Sequence, residues 1–91
     1  MLPREFRLEI VTPMGAVYHG DATSVIAPGT EGYLGVLPGH APLITSLKPG
    51  KLTFRGEGRR RELAVGAGYI EITPSSVIII IEYANRLGED V

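Results

Sequence analysis

The stretch KLTFRGEGRRRELAV, Lys51–Val65, has the pattern that decides the fold. Apolar and polar residues alternate on both sides of Gly56-Glu57-Gly58. Successive side chains of a strand point to opposite faces, so each half of the stretch is expected to be a strand with one buried face. A glycine-rich break between two such runs is typical of a tight hairpin in which glycine supplies a positive φ. The stretch therefore predicts a β-hairpin.

The same alternation recurs elsewhere in the chain. Phe6, Leu8 and Ile10 alternate with charged residues, and Ile70 and Ile72 alternate with Tyr69, Glu71 and Thr73. Segments rich in glycine and proline separate these runs, and no window has a convincing helical period. Many short strands with such turns are typical of a sandwich or barrel. We predict an all-β fold, a small two-sheet β-sandwich of about 8–10 short, mostly antiparallel strands. It spans residues 1–84, with residues 85–91 as a C-terminal stub or tail.

The run Val77–Ile81 (VIIII) is an exception, because it is apolar at both parities. Such a strand is expected to be buried on both faces, whereas the second layer of a sandwich covers only one. Left uncovered, five β-branched residues would promote aggregation. Two interpretations are open: a loop or long side chain of this chain covers the outer face, or another protein does. Our hypothesis is that the outward residues of this strand belong to a subunit interface.

Length, charge and composition exclude several classes of function. The 91 residues are enough for one small domain. A net charge of −1 argues against nucleic-acid binding, which needs a basic surface. Without cysteine there is no disulfide and no thiolate metal site. The longest apolar run is far shorter than the roughly 20 residues of a membrane helix, so we expect no direct membrane insertion.

Candidate chemical groups are few. His19 and His40 are the only side chains that ordinarily titrate near neutral pH, and neither has a partner at a catalytic spacing. Neither Gly50-Lys51 nor Gly66-Ala67-Gly68 completes a nucleotide-binding motif. We therefore expect no catalytic residue, metal or cofactor, and we interpret His40 as a turn residue whose ring bonds nearby backbone. Arg59-Arg60-Arg61 is interpreted as a solvated hairpin tip, with a docking patch for an acidic partner as the alternative.

The stretch GTEGYLGVLPGHAPLIT, Gly29–Thr45, closely resembles the hallmark segment of ATP synthase epsilon subunits. The pattern of that family is Glu-Gly-x-x-Gly, then Pro-Gly-His-Ala-Pro, an apolar pair and Thr, and all of it is present. The resemblance extends over nearly the whole chain, from Phe6–Pro13 to Ala64–Ile72.

The resemblance implies a non-catalytic rotor subunit in the central stalk of an F-type ATP synthase. Such a sandwich binds the gamma subunit, rests on the membrane c-ring and helps couple ion-driven rotation to ATP synthesis. It is peripheral to the membrane, on the cytoplasmic side of a bacterial inner membrane or the equivalent organelle face. The residues implied for c-ring docking are Gly29, Thr30, Glu31, Gly32, Tyr33 and His40. The predicted gamma interface consists of Leu43, Val77, Ile79 and Ile81.

Members of this family usually continue into two antiparallel helices that can inhibit ATP hydrolysis. Tyr83–Val91 is too short for two segments of about 10–15 residues, so we expect no inhibitory or ATP-sensing function in this sequence. Whether the sequence is a natural short form or a piece of a longer one stays open. The alternatives are a free-standing adhesion or ligand-binding module and an enzyme, which would have a deep pocket with convergent polar groups.

Overall fold

The structure, a computed structural model, describes residues 4–90. Within these residues all regular elements are strands, so the all-β prediction is confirmed. The strands are β1 Phe6–Thr12, β2 Gly15–Ala22, β3 Ser24–Gly29, β4 Gly32–Val36, β5 Leu43–Leu47, β6 Gly50–Gly56, β7 Arg59–Val65, β8 Gly68–Ile72, β9 Ser76–Ile81 and β10 Ala84–Asp90.

The strands form a continuous hydrogen-bonded order, β10-β7-β6-β3-β5-β8-β9-β1-β2, with β4 paired to β3. Between β3 and β5 the ladder is reduced to the single pair Gly29 and Leu47. The order therefore divides there into two layers. The first sheet contains β10, β7, β6, β3 and β4, and the second sheet contains β5, β8, β9, β1 and β2. Among the described strands only β1 and β9 pair in parallel, which confirms the predicted two-sheet, mostly antiparallel sandwich.

The core lies between the two sheets and is built from one parity of each strand. Phe54 on β6 and Ile70 on β8 point inward, as their alternation predicts. Because so small a domain buries a modest share of its surface, truncating any of these side chains is expected to lower its stability appreciably. The largest fully buried side chains are Leu8, Ile10, Val25, Val36, Leu47, Leu52, Val65, Ile70, Ile72, Val77, Ile79 and Ile81.

The predicted hairpin joins β6 to β7. Gly56 pairs with Arg59, and the two residues between them both have positive φ, 55° at Glu57 and 76° at Gly58. Two successive positive φ values define a type I′ turn, whose twist matches that of the flanking strands. The hairpin is thus confirmed, although Glu57 shares the left-handed conformation that we expected of glycine alone.

The arginine run beside this hairpin is only partly solvated. Arg59 is exposed, but Arg61 is half-buried and lies over two rings of the core, 5.2 Å from the centroid of Tyr18 and 5.8 Å from that of Phe54. Its Nη2 donates to the Glu57 carboxylate at 3.3 Å. Arg61 therefore covers the edge of the core, which corrects its interpretation as part of a solvated tip.

The C-terminal segment also differs from expectation. Residues 85–90, which we placed outside the sandwich as a stub or tail, form with Ala84 the strand β10, antiparallel to β7. Its sequence lacks apolar alternation because the strand lies at the sheet edge and exposes Asn85 and Leu87. An irregularity in the register between Arg86 and Gly88 also interrupts the period of two. The last residue of the predicted tail, Val91, lies outside the described residues.

Candidate functional site

The orientation of β9 is fixed by its neighbours in the second sheet. Ile79 pairs with Ile70 of β8 and with Ile10 of β1, and all three side chains point into the core. Val77, Ile79 and Ile81 are accordingly at most 2% exposed. The prediction that these three side chains form the gamma interface is therefore wrong: they hold the two sheets together. The outward residues of β9 are Ile78, which is half-buried, and Ile80, which is 56% exposed.

These outward residues continue across neighbouring strands. Ile80 pairs with Tyr69 of β8 and with Val11 of β1, so the three side chains stand side by side about 4.8 Å apart from strand to strand. On β5, Ile44 is exposed on the same face. We call Val11, Ile44, Tyr69, Ile78 and Ile80 the outer apolar face. Contiguous exposed apolar side chains of this kind mark interaction sites in soluble proteins.

Two grooves flank the ring of Tyr69. One, of about 400 Å³, is lined among others by Val11, Pro13 and Ile80. The other, of about 370 Å³, is lined by the end of β5. Glu82 borders both grooves. An exposed aromatic ridge between open apolar grooves is suited to holding a partner's side chains.

The residues Gly29–Tyr33 form the tip of the β3–β4 hairpin. Gly29 pairs with Gly32, whose φ is +129°, and a Cβ on Gly29 would lie 2.7 Å from the carbonyl oxygen of Gly32. The tip is bound to β5, because the Thr30 N–H donates to the Ser46 carbonyl at 3.1 Å and their hydroxyls lie 2.8 Å apart. A tip held in this way is stiff, and it exposes Thr30, Glu31 and Tyr33.

Tyr33 is exposed, but its hydroxyl is engaged within the chain. The backbone N–H of Lys51 donates to that hydroxyl at 3.1 Å. The ring therefore offers mainly carbon surface to a partner. The next residue, Leu34, is half-buried and packs against the core.

His40 lies at the other end of the sandwich. The Leu37–His40 turn has a φ of 86° at Gly39, and the His40 N–H donates to the Leu37 carbonyl at 3.1 Å. The ring Nδ1 donates to the Ala41 carbonyl at 2.7 Å, which confirms that it bonds nearby backbone. The Gly39 N–H also donates to the carbonyl of Pro74 at 3.0 Å.

The topology separates His40 from the other residues implied for c-ring docking. β4 leads away from the hairpin tip for its whole length, about 13 Å at ~3.3 Å per residue, before the chain reaches His40. Leu43, at the start of β5, is exposed at that same far end, where it pairs with Ile72. His40 and the hairpin tip are close together in the sequence, but the sandwich does not bring them to one surface.

The titratable groups of the described residues do not assemble a reaction centre. His19 accepts a bond from Arg7 at 3.3 Å, whereas His40 bonds within its own turn. Residues 4–90 contain no group of three or more His, Cys, Asp or Glu side chains that could hold a metal ion. Burial raises the pKa of Tyr18, and the nearby Glu57 carboxylate raises it further. The Tyr18 hydroxyl donates to the Asp21 carbonyl at 2.8 Å. This tyrosine has a structural role.

Comparison with known proteins identifies the family. Residues 5–87 match the family described as ATP synthase, Delta/Epsilon chain, beta-sandwich domain. The chain belongs to this family. It is 52% identical over 83 residues to the ATP synthase epsilon chain of Moorella thermoacetica, covering 90% of this chain and 62% of that protein. With the epsilon chain of Pelotomaculum thermopropionicum it shares 46% identity, covering 91% and 62%.

Chains of two solved structures share the fold of this chain. A chain from the Euglena gracilis mitochondrial ATP synthase, solved as OSCP/F1/c-ring, matches with a TM-score of 0.87 and 21% identity, covering 94% of this chain and 56% of that one. A chain from the central stalk/c-ring of the Tetrahymena thermophila enzyme matches with a TM-score of 0.72 and 15% identity, covering 92% and 68%. In the described part of the present chain, none of the regular elements is a helix that could cross a membrane.

The sequence hypothesis of an interface on the outward side of β9 covers only part of the outer apolar face, and the contribution of β8 was missed although a signal for it was present. Tyr69 stands at the polar parity of β8, opposite to Ile70. An aromatic residue at the outward parity of a strand is a reason to suspect an interface. In β9 the apolar run indicated an outward interface but not which residues form it, because Ile80 and its neighbours are of the same type.

Proposed function

We propose that this member of the Delta/Epsilon family is a non-catalytic subunit of the central stalk of an F-type ATP synthase. In this role it docks the gamma subunit to the c-ring and helps couple ion-driven rotation to ATP synthesis. The observation that carries the proposal is the outer apolar face, which is exposed on a sheet of a sandwich whose relatives are epsilon chains. A part that transmits torque needs stiffness and adhesion, and it has no need of tuned catalytic groups.

The outer apolar face is assigned to the gamma subunit. It replaces Val77, Ile79 and Ile81, which lie in the core. Tyr69 supplies the aromatic anchor that is enriched at the energetic centre of interfaces. Covering the exposed parts of Tyr69 and Ile80 would stabilise the complex at about 25 cal/mol for each Å² of apolar surface removed from water. The half-covered Ile78 would then be buried on both sides, as the sequence of β9 led us to expect.

The hairpin tip, Gly29–Tyr33, is assigned to the c-ring. In support, the tip is stiff and exposed, with Glu31 for polar contact and the ring of Tyr33 for apolar contact. His40 is not included, because it lies at the opposite end of β4. Contact with the ring would hold the protein at the membrane as a peripheral subunit, on the cytoplasmic face of a bacterial inner membrane or the equivalent organelle face.

Binding to purified gamma subunit tests the proposal. We expect a one-to-one complex in calorimetry, with binding weakened at least tenfold by Tyr69→Ala or Ile80→Ala, as for residues at the centre of an interface. The matched control is Ile26→Ala, since Ile26 is 48% exposed on the outer face of the first sheet. If the protein fails to bind gamma, or if Ile26→Ala weakens binding as much as Ile80→Ala, the assignment is wrong.

Coupling is tested separately in membranes that contain an ATP synthase depleted of its own epsilon subunit. Adding the protein should raise ATP-driven ion pumping per ATP hydrolysed, and Tyr33→Ala should reduce that gain without changing the thermal stability of the free protein. If the Tyr33→Ala protein raises ion pumping per ATP as much as the original does, the hairpin tip does not contact the c-ring.

A further inference from the structure

Three carboxylates surround the outer apolar face. Glu9 of β1 and Glu71 of β8 both pair with Ile78 of β9, so they stand on either side of that residue with their Cα atoms about 10 Å apart. Glu82 lies beyond Ile80 on the same strand path and borders both grooves beside Tyr69. The apolar centre of the face therefore has an acidic margin.

These carboxylates are not neutralised within the described residues. Glu9, Glu71 and Glu82 are exposed, and none of them forms an ion pair in residues 4–90. One oxygen of Glu82 accepts the Ala67 N–H at 3.3 Å. Arg7 and its cross-strand neighbour Asp21 stand on the same face, where the Arg7 guanidinium donates to His19, and their opposite charges cancel in the net charge of the face. The outer face of the second sheet is thus net negative.

On the first sheet, the outer face of β6 and β7 has the opposite sign. Lys51, Arg55 and Arg60 all point outward there, at the parity opposite to the inward Leu52 and Phe54. The carboxylate of Glu62 lies among them, 2.7 Å from Arg60 and 3.5 Å from Lys51. Glu62, the acidic residue of these two strands, is therefore already paired, in contrast to the carboxylates around the outer apolar face.

We propose that the partner surface covering the outer apolar face carries an apolar stripe flanked by lysine or arginine side chains, which pair with Glu9 and Glu71 across the stripe and with Glu82 at its end. This inference rests on the proposed function, in which the gamma subunit occupies that face. The reason is physical: carboxylates brought into an interface without a counter-charge lose hydration and gain nothing in return. Complementary charges at the margin of an interface also speed association, and they disfavour docking of a basic partner to the basic face of the first sheet.

The test measures the association rate constant with purified gamma subunit as a function of salt. At about 0.01 M ionic strength, where the Debye length is ~30 Å, we expect Glu9→Gln/Glu71→Gln to associate about fivefold more slowly than the original protein. At about 1 M, where that length is ~3 Å, the two rates should converge. The double charge reversal, Glu9→Lys/Glu71→Lys, should associate still more slowly and should speed up as salt is added.

The control is Glu62→Gln, compared with the single variant Glu71→Gln, because each removes one negative charge from an outer face. Glu71→Gln should slow association clearly more than Glu62→Gln does. Thermal unfolding of all variants checks that they are folded. Two results would overturn the inference while leaving the proposed function intact: gamma binds the Gln and Lys variants as fast as the original at low salt, or Glu62→Gln slows binding equally. If the original protein does not bind gamma, or associates with itself through this face instead, both the inference and the proposed function are wrong.

Discussion

Alanine substitutions at Ile79 and Ile80 separate the core from the docking surface, because the two residues are identical in type and adjacent on β9. Ile79 is completely buried between Ile70 and Ile10. Truncating such a side chain costs about 2–5 kcal/mol, since transfer and cavity terms add. In a domain of this size that lowers the Tm by about 10 °C or more.

Ile80 is 56% exposed, so less than half of its surface is removed from water in the free protein. Full burial of an isoleucine side chain is worth about 1.5–3 kcal/mol, and the Ile80→Ala substitution should therefore cost roughly 1 kcal/mol or less. Its effect on gamma binding should be large, because the exposed remainder is the part that a partner would cover. The two substitutions are thus expected to have opposite profiles.

Urea unfolding, followed by circular dichroism, gives the free energy of unfolding of each variant, and calorimetry with gamma gives its affinity. If Ile79→Ala does not fold, Ile79→Val, with an expected cost of about 0.5–1.5 kcal/mol, takes its place. The reasoning about β9 is refuted if Ile80→Ala destabilises the free protein as much as Ile79→Ala does, or if the Ile79 variants fold stably and bind more weakly than Ile80→Ala.

Three further predictions concern other parts of the fold. Because burial raises the pKa of Tyr18, the stability gained by keeping its hydroxyl protonated is complete below the unfolded-state value of about 10 and is lost as pH rises through the folded-state value; Tyr18→Phe should flatten the loss of stability in alkaline urea titrations. Gly68→Ala should lower the free energy of unfolding in urea by about 1–3 kcal/mol or more, because the new Cβ would overlap the Ile80 carbonyl. Gly35→Ala has open space around its Cβ and should lower it by less than about 1 kcal/mol. Tyr33→Phe should preserve c-ring binding in a pull-down, and Tyr33→Ala should weaken it.

Much of the fold was predictable because its strands have one buried face. The alternation around Phe54 and around Ile70 sets the parity of β6 and β8 without reference to any neighbour. The glycine-rich turn between β6 and β7 likewise specifies a hairpin, since few residues other than glycine readily accept a positive φ. Local chemistry therefore decides these elements.

The remaining features depend on which strands become neighbours. The parity of β9 cannot be read from four consecutive isoleucines, and only its pairing of Ile79 with Ile70 and Ile10 assigns inward and outward sides. The separation of His40 from the hairpin tip follows from the direction of β4. For β10, the edge position removes the apolar requirement on which strand prediction depends, so the edge residue Asn85 gives no signal.

The parallel pairing of β1 with β9 has a consequence for how the protein is made. Arg7 and Ser76 are ladder partners about 70 positions apart, so β1 waits roughly 4 to 14 s for its second neighbour during synthesis at 5–20 residues per second. When the isoleucine-rich strand leaves the ribosome, β8 and β1 are already there to receive it on both sides. The order of translation thus allows this apolar strand to pair on both sides as soon as it emerges.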